Sequence, residues 1–403
     1  MTTTFRYGAP PELWLHVFYF LKDERLDLTG LAMVSKSFVA LAQPLLFQHI
    51  AVRPVCDQQY ASGRLTCRAD SLAEVTERMR FCAQERIAHG VTTIELSPTI
   101  NYCVRRDAGG EEFSAVADVV IRMLPLFPRL RSFQCAHLVL QPHHVSTISG
   151  TTNLRSFHTI NCHLSDSLQD HTHESPMEDF TVSWQGDTTK ELGVALSPHS
   201  HQRWFSFMHP DHLRTLNLAP LDAFLDQMFT DLVDRKIKFH ALRSLGLPWM
   251  AVQSESFVPL LECAPFLQEL HFIVRSSHRT VTVACPLPRH VLRNLSVLEA
   301  PDYALLFLLE GRGIRELSCS TVRDGGSLPT DIIKVFDALP LGTFRELEKL
   351  ALDLKCLSNE LLDCLTRNFP RITTLSVDVR GMAWGPTPGS LRSHTTAVQR
   401  TLI

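Results

Sequence analysis

Ten stretches of this chain repeat one alternation of apolar and polar positions, apolar-x-x-apolar-x-apolar. The first runs from Val91 through Ile94 to Leu96, and the others begin at Leu130, Leu154, Leu213, Leu242, Leu267, Leu295, Ile314, Leu347 and Ile372. Period-two alternation over so short a run predicts a strand buried on one face. One position departs: Thr159 stands where the stretch from Leu154 calls for an apolar residue. Met177, Phe180 and Val182 form a degenerate copy in the long gap before Leu213. Between strands the apolar period lengthens to three or four, which predicts helices over 113–124, 221–234, 256–263, 304–310, 330–339 and 357–368. Another is predicted from Ser71, with Leu72, Val75, Met79, Ala83 and Ile87 recurring along it and Gly90 as its stop. Pro128, Pro265 and Pro370 mark turns just ahead of a strand.

Strand–helix units of about 20–30 residues resemble leucine-rich repeats. The resemblance implies a solenoid, a curved parallel sheet with helices outside, in which each unit covers its apolar face only against its neighbours. Without a fixed asparagine, the repeats are similar to the irregular class. A doubly wound α/β domain is the competing reading, and ten matches to one template weigh against it. The expected fold class is therefore α/β. Residues 71–380 form the repeats, 165–202 an insertion loop within them, and 381–403, with Gly381, Gly385, Pro386, Pro388 and Gly389, a flexible tail.

The first fifty residues follow another pattern. After a frayed 1–8, Pro10 and Pro11 suit a helix entrance, and Glu12 suits the positive end of its dipole. Leu13, Val17 and Leu21 share one face, with Trp14 and Phe18 beside them, so this helix is greasy on two sides. Asp27 is placed to cap a second helix carrying Leu28, Leu31, Ala32 and Val34. Ser35 is placed to cap a third, with Phe38, Leu41 and Ala42 inward, and Pro44 stops or restarts it. Ala51 and Val52 read as extended, and 51–70 as a linker. Each helix is near or below the roughly 12–15 residues at which an isolated helix holds, and a domain of under about 40 residues usually needs an outside staple. Five or six large side chains buried only on docking would give a gross gain of about 8–18 kcal/mol, much of it offset by ordering and association. Docking on a partner and capping of the following repeats both satisfy this pattern.

The run Pro10, Glu12, Leu13, Val17, Phe18, Leu21, then Asp27, Leu28, Leu31, Val34, Ser35, Lys36, Phe38, Leu41 and Ala42, resembles an F-box. Residues 43–50 are similar to the segment just after the F-box in many fungal members. The resemblance implies docking on a Skp-type adaptor, joined through it to a cullin scaffold and a RING subunit in an SCF ubiquitin ligase. Pro10, Leu13, Val17, Leu28, Leu31, Val34 and Phe38 would face that adaptor. Two positions differ from the family's pattern: Ala9 stands where Leu is usual, and Phe38 where Trp is frequent. The implied function is substrate recognition without catalysis, the repeats holding a protein substrate. The alternative is a repeat scaffold outside any ligase, its N-terminal helices capping the solenoid. Polar positions between strand leucines (Arg214, Thr215, Arg243, Ser244, Gln268, Glu269, Arg315, Glu316) are the candidate substrate surface.

Composition narrows the classes. With 45% hydrophobic and 20% charged residues the chain reads as folded. A net charge of −3 with no basic stripe argues against nucleic acid. No apolar window approaches a membrane span, and the N-terminus lacks a signal-like pattern. Eleven cysteines without a CxxC pair predict reduced, buried thiols and a cytoplasmic or nuclear setting. No phosphate loop, GxSxG or HExxH occurs, so neither catalytic residues nor a cofactor is expected. Eleven of the nineteen histidines fall between His137 and His212, including His143 with His144, His171 with His173 and His199 with His201. Their polar surroundings read as loops rather than as the fixed, converging ligands a metal needs.

Overall fold

Each strand of the repeats begins on the third residue of its motif. The computed structural model describes residues 11–20, 25–58, 65–68, 70–101, 112–165, 177–184, 202–219, 222–273, 287–309, 312–320, 327–340, 343–379 and 397–401. In it, strands start at Thr93, Ser132, Ser156, Asp179, Thr215, Ser244, Glu269, Val297, Glu316, Lys349 and Thr374. The cause is a backbone clamp. The first motif residue, such as Leu130, Leu154 or Leu213, is buried. The amides of the second and third then converge on one carbonyl of the preceding unit: Arg131 and Ser132 donate to the Thr92 oxygen at 2.8 and 3.0 Å, and Arg243 and Ser244 to that of Arg214 at 2.8 and 3.0 Å. The degenerate copy at Met177 obeys the same rule, with Glu178 and Asp179 donating to the Arg155 oxygen at 2.8 and 2.9 Å.

The chain falls into two units, Met1–His209 and Pro210–Ile403. The strands of the first are β1 (His49–Val52), β2 (Val55–Gln58), β3 (Leu65–Cys67), β4 (Thr93–Leu96), β5 (Thr99–Asn101), β6 (Ser132–Ala136), β7 (Val139–Leu140), β8 (Ser156–Ile160), β9 (His163–Leu164) and β10 (Asp179–Ser183). Its helices are α1 (Pro11–Phe20), α2 (Arg25–Val34), α3 (Lys36–Leu46), α4 (Ser71–Cys82), α5 (Glu85–Ala88), α6 (Phe113–Met123) and α7 (Pro142–Ser149). β1, β4, β6, β8 and β10 pair side by side, all parallel, so that Ile50, Ile94, Phe133, Phe157 and Phe180 form one inward column. Strand spacing of about 4.7–4.9 Å lets the column's aromatic side chains touch. The Phe133 and Phe157 rings stack at 5.8 Å, and Phe157 meets Phe180 at 5.9 Å and Phe207 at 5.2 Å. Thr159 fits its buried place because its hydroxyl donates to the Thr181 carbonyl at 3.2 Å, which removes the cost of a lone buried polar group.

The second unit holds β11 (Thr215–Ala219), β12 (Ser244–Pro248), β13 (Glu269–Ile273), β14 (Val297–Pro301), β15 (Glu316–Ser320), β16 (Lys349–Leu354), β17 (Thr374–Val379) and β18 (Ala397–Thr401). Its helices are α8 (Asp222–Asp234), α9 (Phe257–Glu262), α10 (Leu305–Leu308), α11 (Pro329–Ala338) and α12 (Asn359–Asn368). β11 to β17 are parallel in sequence order, and here the inward column is leucine: Leu216, Leu245, Leu270, Leu298, Leu317, Leu350 and Leu375. Arg312 is buried beneath this sheet's loops. Its guanidinium donates to the carbonyls of Leu308 at 2.9 Å and Pro288 at 3.1 Å, holding the turn ahead of β14 against α10.

Several expectations need correction. Residues 51–70 are not a linker: β1 belongs to the main parallel sheet, and β2 forms an antiparallel hairpin with β3 and a parallel pair with β5. Phe47, Ile50 and Val52 fit the repeat motif, so the first strand begins inside what reads as the F-box tail and runs two residues past it. Asp27 lies within α2, which already starts at Arg25. Pro44 neither stops nor restarts α3, which runs on to Leu46. Pro44 sits in the last turn, where only the Ala40 carbonyl loses its donor. The stretch 165–202 contains β10, a full member of the sheet. Residues 397–401 of the supposed tail form β18, antiparallel to β17. His143 and His144 stand on a helix, α7, started by Pro142. Residues 1–10, the histidines at 171, 173, 199 and 201, and the tail from 381 to 396 lie outside the described residues.

Candidate protein-docking site

The three N-terminal helices close around a small core of their own. Phe18, Leu28 and Phe38 are buried together, with Trp14, Leu31, Leu41, Leu45 and Leu46 against them. Phe18 and Phe38 meet edge to face at 5.4 Å, and Trp14 lies 4.9 Å from Phe38. Ser35 starts α3 as expected, its hydroxyl accepting from the Phe38 amide at 3.1 Å.

Beside that core, six large apolar side chains of the described residues face water. Leu13 is 57% exposed, Val34 63% and Met33 84%, and Val17, Tyr19 and Val39 are exposed as well. Of the seven residues the F-box resemblance nominates, Leu13, Val17 and Val34 are thus at the surface. Leu28 and Phe38 are buried in the helical core, Leu31 is half-buried against it, and Pro10 lies outside the described residues. The sequence reading missed Tyr19, Met33 and Val39. Met33 was within reach, since it stands beside Val34 in an apolar run. Leu13 and Val17 are one turn apart, so they share α1's outer face.

A second surface is the open face of the strands. Thr215, Ser244, Glu269 and Glu316 hold the first strand position, and Arg214, Arg243, Gln268 and Arg315 precede them, their carbonyls serving as the clamp acceptors. The third strand position also faces outward, which the sequence reading did not separate from the rest. In the second unit it carries Asn217, Gly246, His271 and Glu299. Asn217 lies across Gly246 so closely that a Cβ there would come within 2.1 Å of Asn217 Oδ1. His271 is bracketed by Glu299, 3.2 Å from Nδ1, and Glu269, 3.5 Å from Nε2. The hydrogen bond to Glu299 outweighs partial burial and raises the imidazole pKa. On the first unit's open face Arg53 grips the Glu95 carboxylate through two nitrogens, at 3.2 and 3.0 Å.

Asp118, His143 and His144 bring three potential metal ligands together. The geometry does not suit a metal. The Gln141 amide donates to His144 Nδ1 at 3.1 Å, capping α7, so the neutral ring carries its proton on Nε2. That Nε2–H donates to Asp118. A ligating histidine instead donates from the nitrogen that does not hold the metal. Burial lowers the His144 pKa and keeps the ring in this neutral form, against the pull of Asp118. The trio ties the start of α7 to α6. Among the described residues, no helix is long and apolar enough to cross a membrane.

No protein-family model matches the chain, and no curated protein matches it. Among solved structures, an internalin from Listeria monocytogenes aligns over 75% of this chain and 96% of its own, at 13% identity and a TM-score of 0.26. At that score the likeness has no bearing on fold or function, and the strand-and-helix repeat rests on the chain's own register.

Proposed function

We propose that the chain is a non-catalytic adaptor of the F-box and leucine-rich-repeat type. In this reading the helices α1–α3 dock a Skp-type adaptor, and through it a cullin scaffold. The open strand face takes a protein substrate. The carrying observation is the surplus of exposed apolar side chains on α1–α3 beside their filled core, Leu13, Val17 and Val34 among them. Single exposed apolar residues are ordinary, whereas a cluster on a small module is the mark of an interaction site.

A second reading also has an observation behind it. α3 leads within two residues into β1, and Pro44 lies so near Gly90 that a Cβ there would come within 3.2 Å of it. The helices would then serve to cap the repeats, with no ligase involved. Binding of purified full-length protein to a Skp-type adaptor separates the two. The adaptor reading expects binding by the wild type, and its loss in Leu13→Asp combined with Val34→Asp at an unchanged melting temperature. Failure of the wild type to bind, or a double variant changed only in melting temperature, leaves the capping reading.

A further inference from the structure

Cys56 and Cys67 lie directly opposite each other on the antiparallel strands β2 and β3, with their sulfurs 2.8 Å apart. The Arg68 amide donates to the Val55 carbonyl at 3.4 Å, which makes the neighbouring pair the hydrogen-bonded one. Cys56 and Cys67 are therefore the non-hydrogen-bonded pair, where α-carbons approach to about 4.5 Å. A disulfide requires roughly 4.4–6.8 Å between α-carbons, so the backbone already satisfies it. Cys135 and Cys162 also approach, at 3.7 Å, but they are out of register: Cys135 pairs with Thr159, and the Cys162 thiol is engaged by the carbonyls of Ile160 and Cys135.

We propose that Cys56 and Cys67 are a thiol pair that closes into a cross-strand disulfide by exchange with a small-molecule disulfide such as oxidised glutathione. Both side chains are buried, so exchange needs local opening. β3 is three residues long and lies at the edge of the β3-β2-β5 sheet, bridged on its far side at Thr66 to Glu112, so fraying of this short strand is the route that uncovers Cys67. Its thiolate attacks one sulfur of the glutathione disulfide and releases one glutathione thiolate. The Cys56 thiolate then attacks the Cys67 sulfur of the mixed disulfide, forms the Sγ–Sγ bond and releases the second glutathione. Two electrons pass from the cysteine pair to the reagent, and the two thiol protons end on the departing glutathiones. In the closed hairpin the contact with Cys67, followed by burial, pushes the Cys56 thiol up, so the resting pair stays protonated and waits on that opening. The bond would staple the segment between β1 and α4.

The test uses the full chain held in reduced and in oxidised glutathione, alkylated, and analysed by thiol titration under denaturing conditions and by peptide mass mapping. In oxidised buffer the titratable thiols should fall from the eleven of the sequence to nine, with one linked fragment joining Cys56 to Cys67. Cys67→Ser should lose that change while Cys135→Ser keeps it. The wild-type map decides the matter without any variant. Two free thiols at 56 and 67 in oxidised buffer, a lasting glutathione adduct on Cys67, or a link from Cys135 to Cys162 in their place overturns the proposal.

Discussion

In β6, β8 and β10 an inward side chain has a like neighbour one strand away, while the buried rings of α1–α3 gather in one small cluster of their own. The outcome is visible in what faces water. Fourteen large apolar residues are exposed among the described ones, and six of them (Leu13, Val17, Tyr19, Met33, Val34 and Val39) fall within residues 13–39, while the rest are dispersed along the chain. A ladder closes its core by repetition. A three-helix module fills its core with a few rings and must leave the remainder to another surface. Apolar character alone therefore does not say what a residue does in this chain; the number of neighbours its architecture can supply does.

The sharpest way to break this contrast is Phe157→Ala. Phe157 is buried between Phe133 and Phe180, and its truncation should cost about 3–5 kcal/mol in urea unfolding. A loss below about 1 kcal/mol would mean that the ladder is no tighter than the module. Acid offers the next largest effect. His163 is buried, and desolvation holds its pKa near 4, well below the 6.5 of an exposed imidazole. The unfolded chain takes up this proton first as pH falls. The stability from the neutral ring is thus complete above pH 6.5 and lost on descent through about 4, amounting to up to about 3 kcal/mol. Urea titrations at pH 7 and pH 4.5 should show it, and His163→Phe should flatten it; equal slopes for both proteins would refute the assignment. Within the module, Ser35→Ala removes the α3 cap and should cost about 1 kcal/mol, read by thermal melting. The smallest change in stability belongs to Leu13→Asp, within about 0.5 kcal/mol, because Leu13 is already in water. A larger loss would place Leu13 in the core after all.

The strands were legible because their side-chain pattern is local: the buried first residue and the two inward strand positions lie within six residues. Even the misfit Thr159 had its place, since one hydroxyl bond satisfies it. The helices at 113–123, 222–234, 257–262, 305–308, 329–338 and 359–368 were legible from their own apolar period. What the sequence concealed is non-local. β2 and β3 are four and three residues long, too short for their alternation to stand out, and pairing across the hairpin makes them strands. β18 exists through its antiparallel partner β17. In α7 the polar His143–His144 pair masked the spacing of Val145 and Ile148, both buried. The candidate site was half legible. Spacing located the apolar residues of α1–α3, but whether Leu28 turns inward and Leu13 outward depends on how the three helices meet.

The clamp of two amides on one carbonyl frees alignment from distance along the chain. In the second unit the motifs start at 213, 242, 267, 295, 314, 347 and 372, so successive steps range from 19 to 33 residues, yet the leucine column never slips. Doubling a connection costs only about 0.6 kcal/mol in closure entropy. Heredity can therefore revise this protein in the gaps without renegotiating the frame: a connection lengthens, shortens or gains a helix, and the next strand still finds its place.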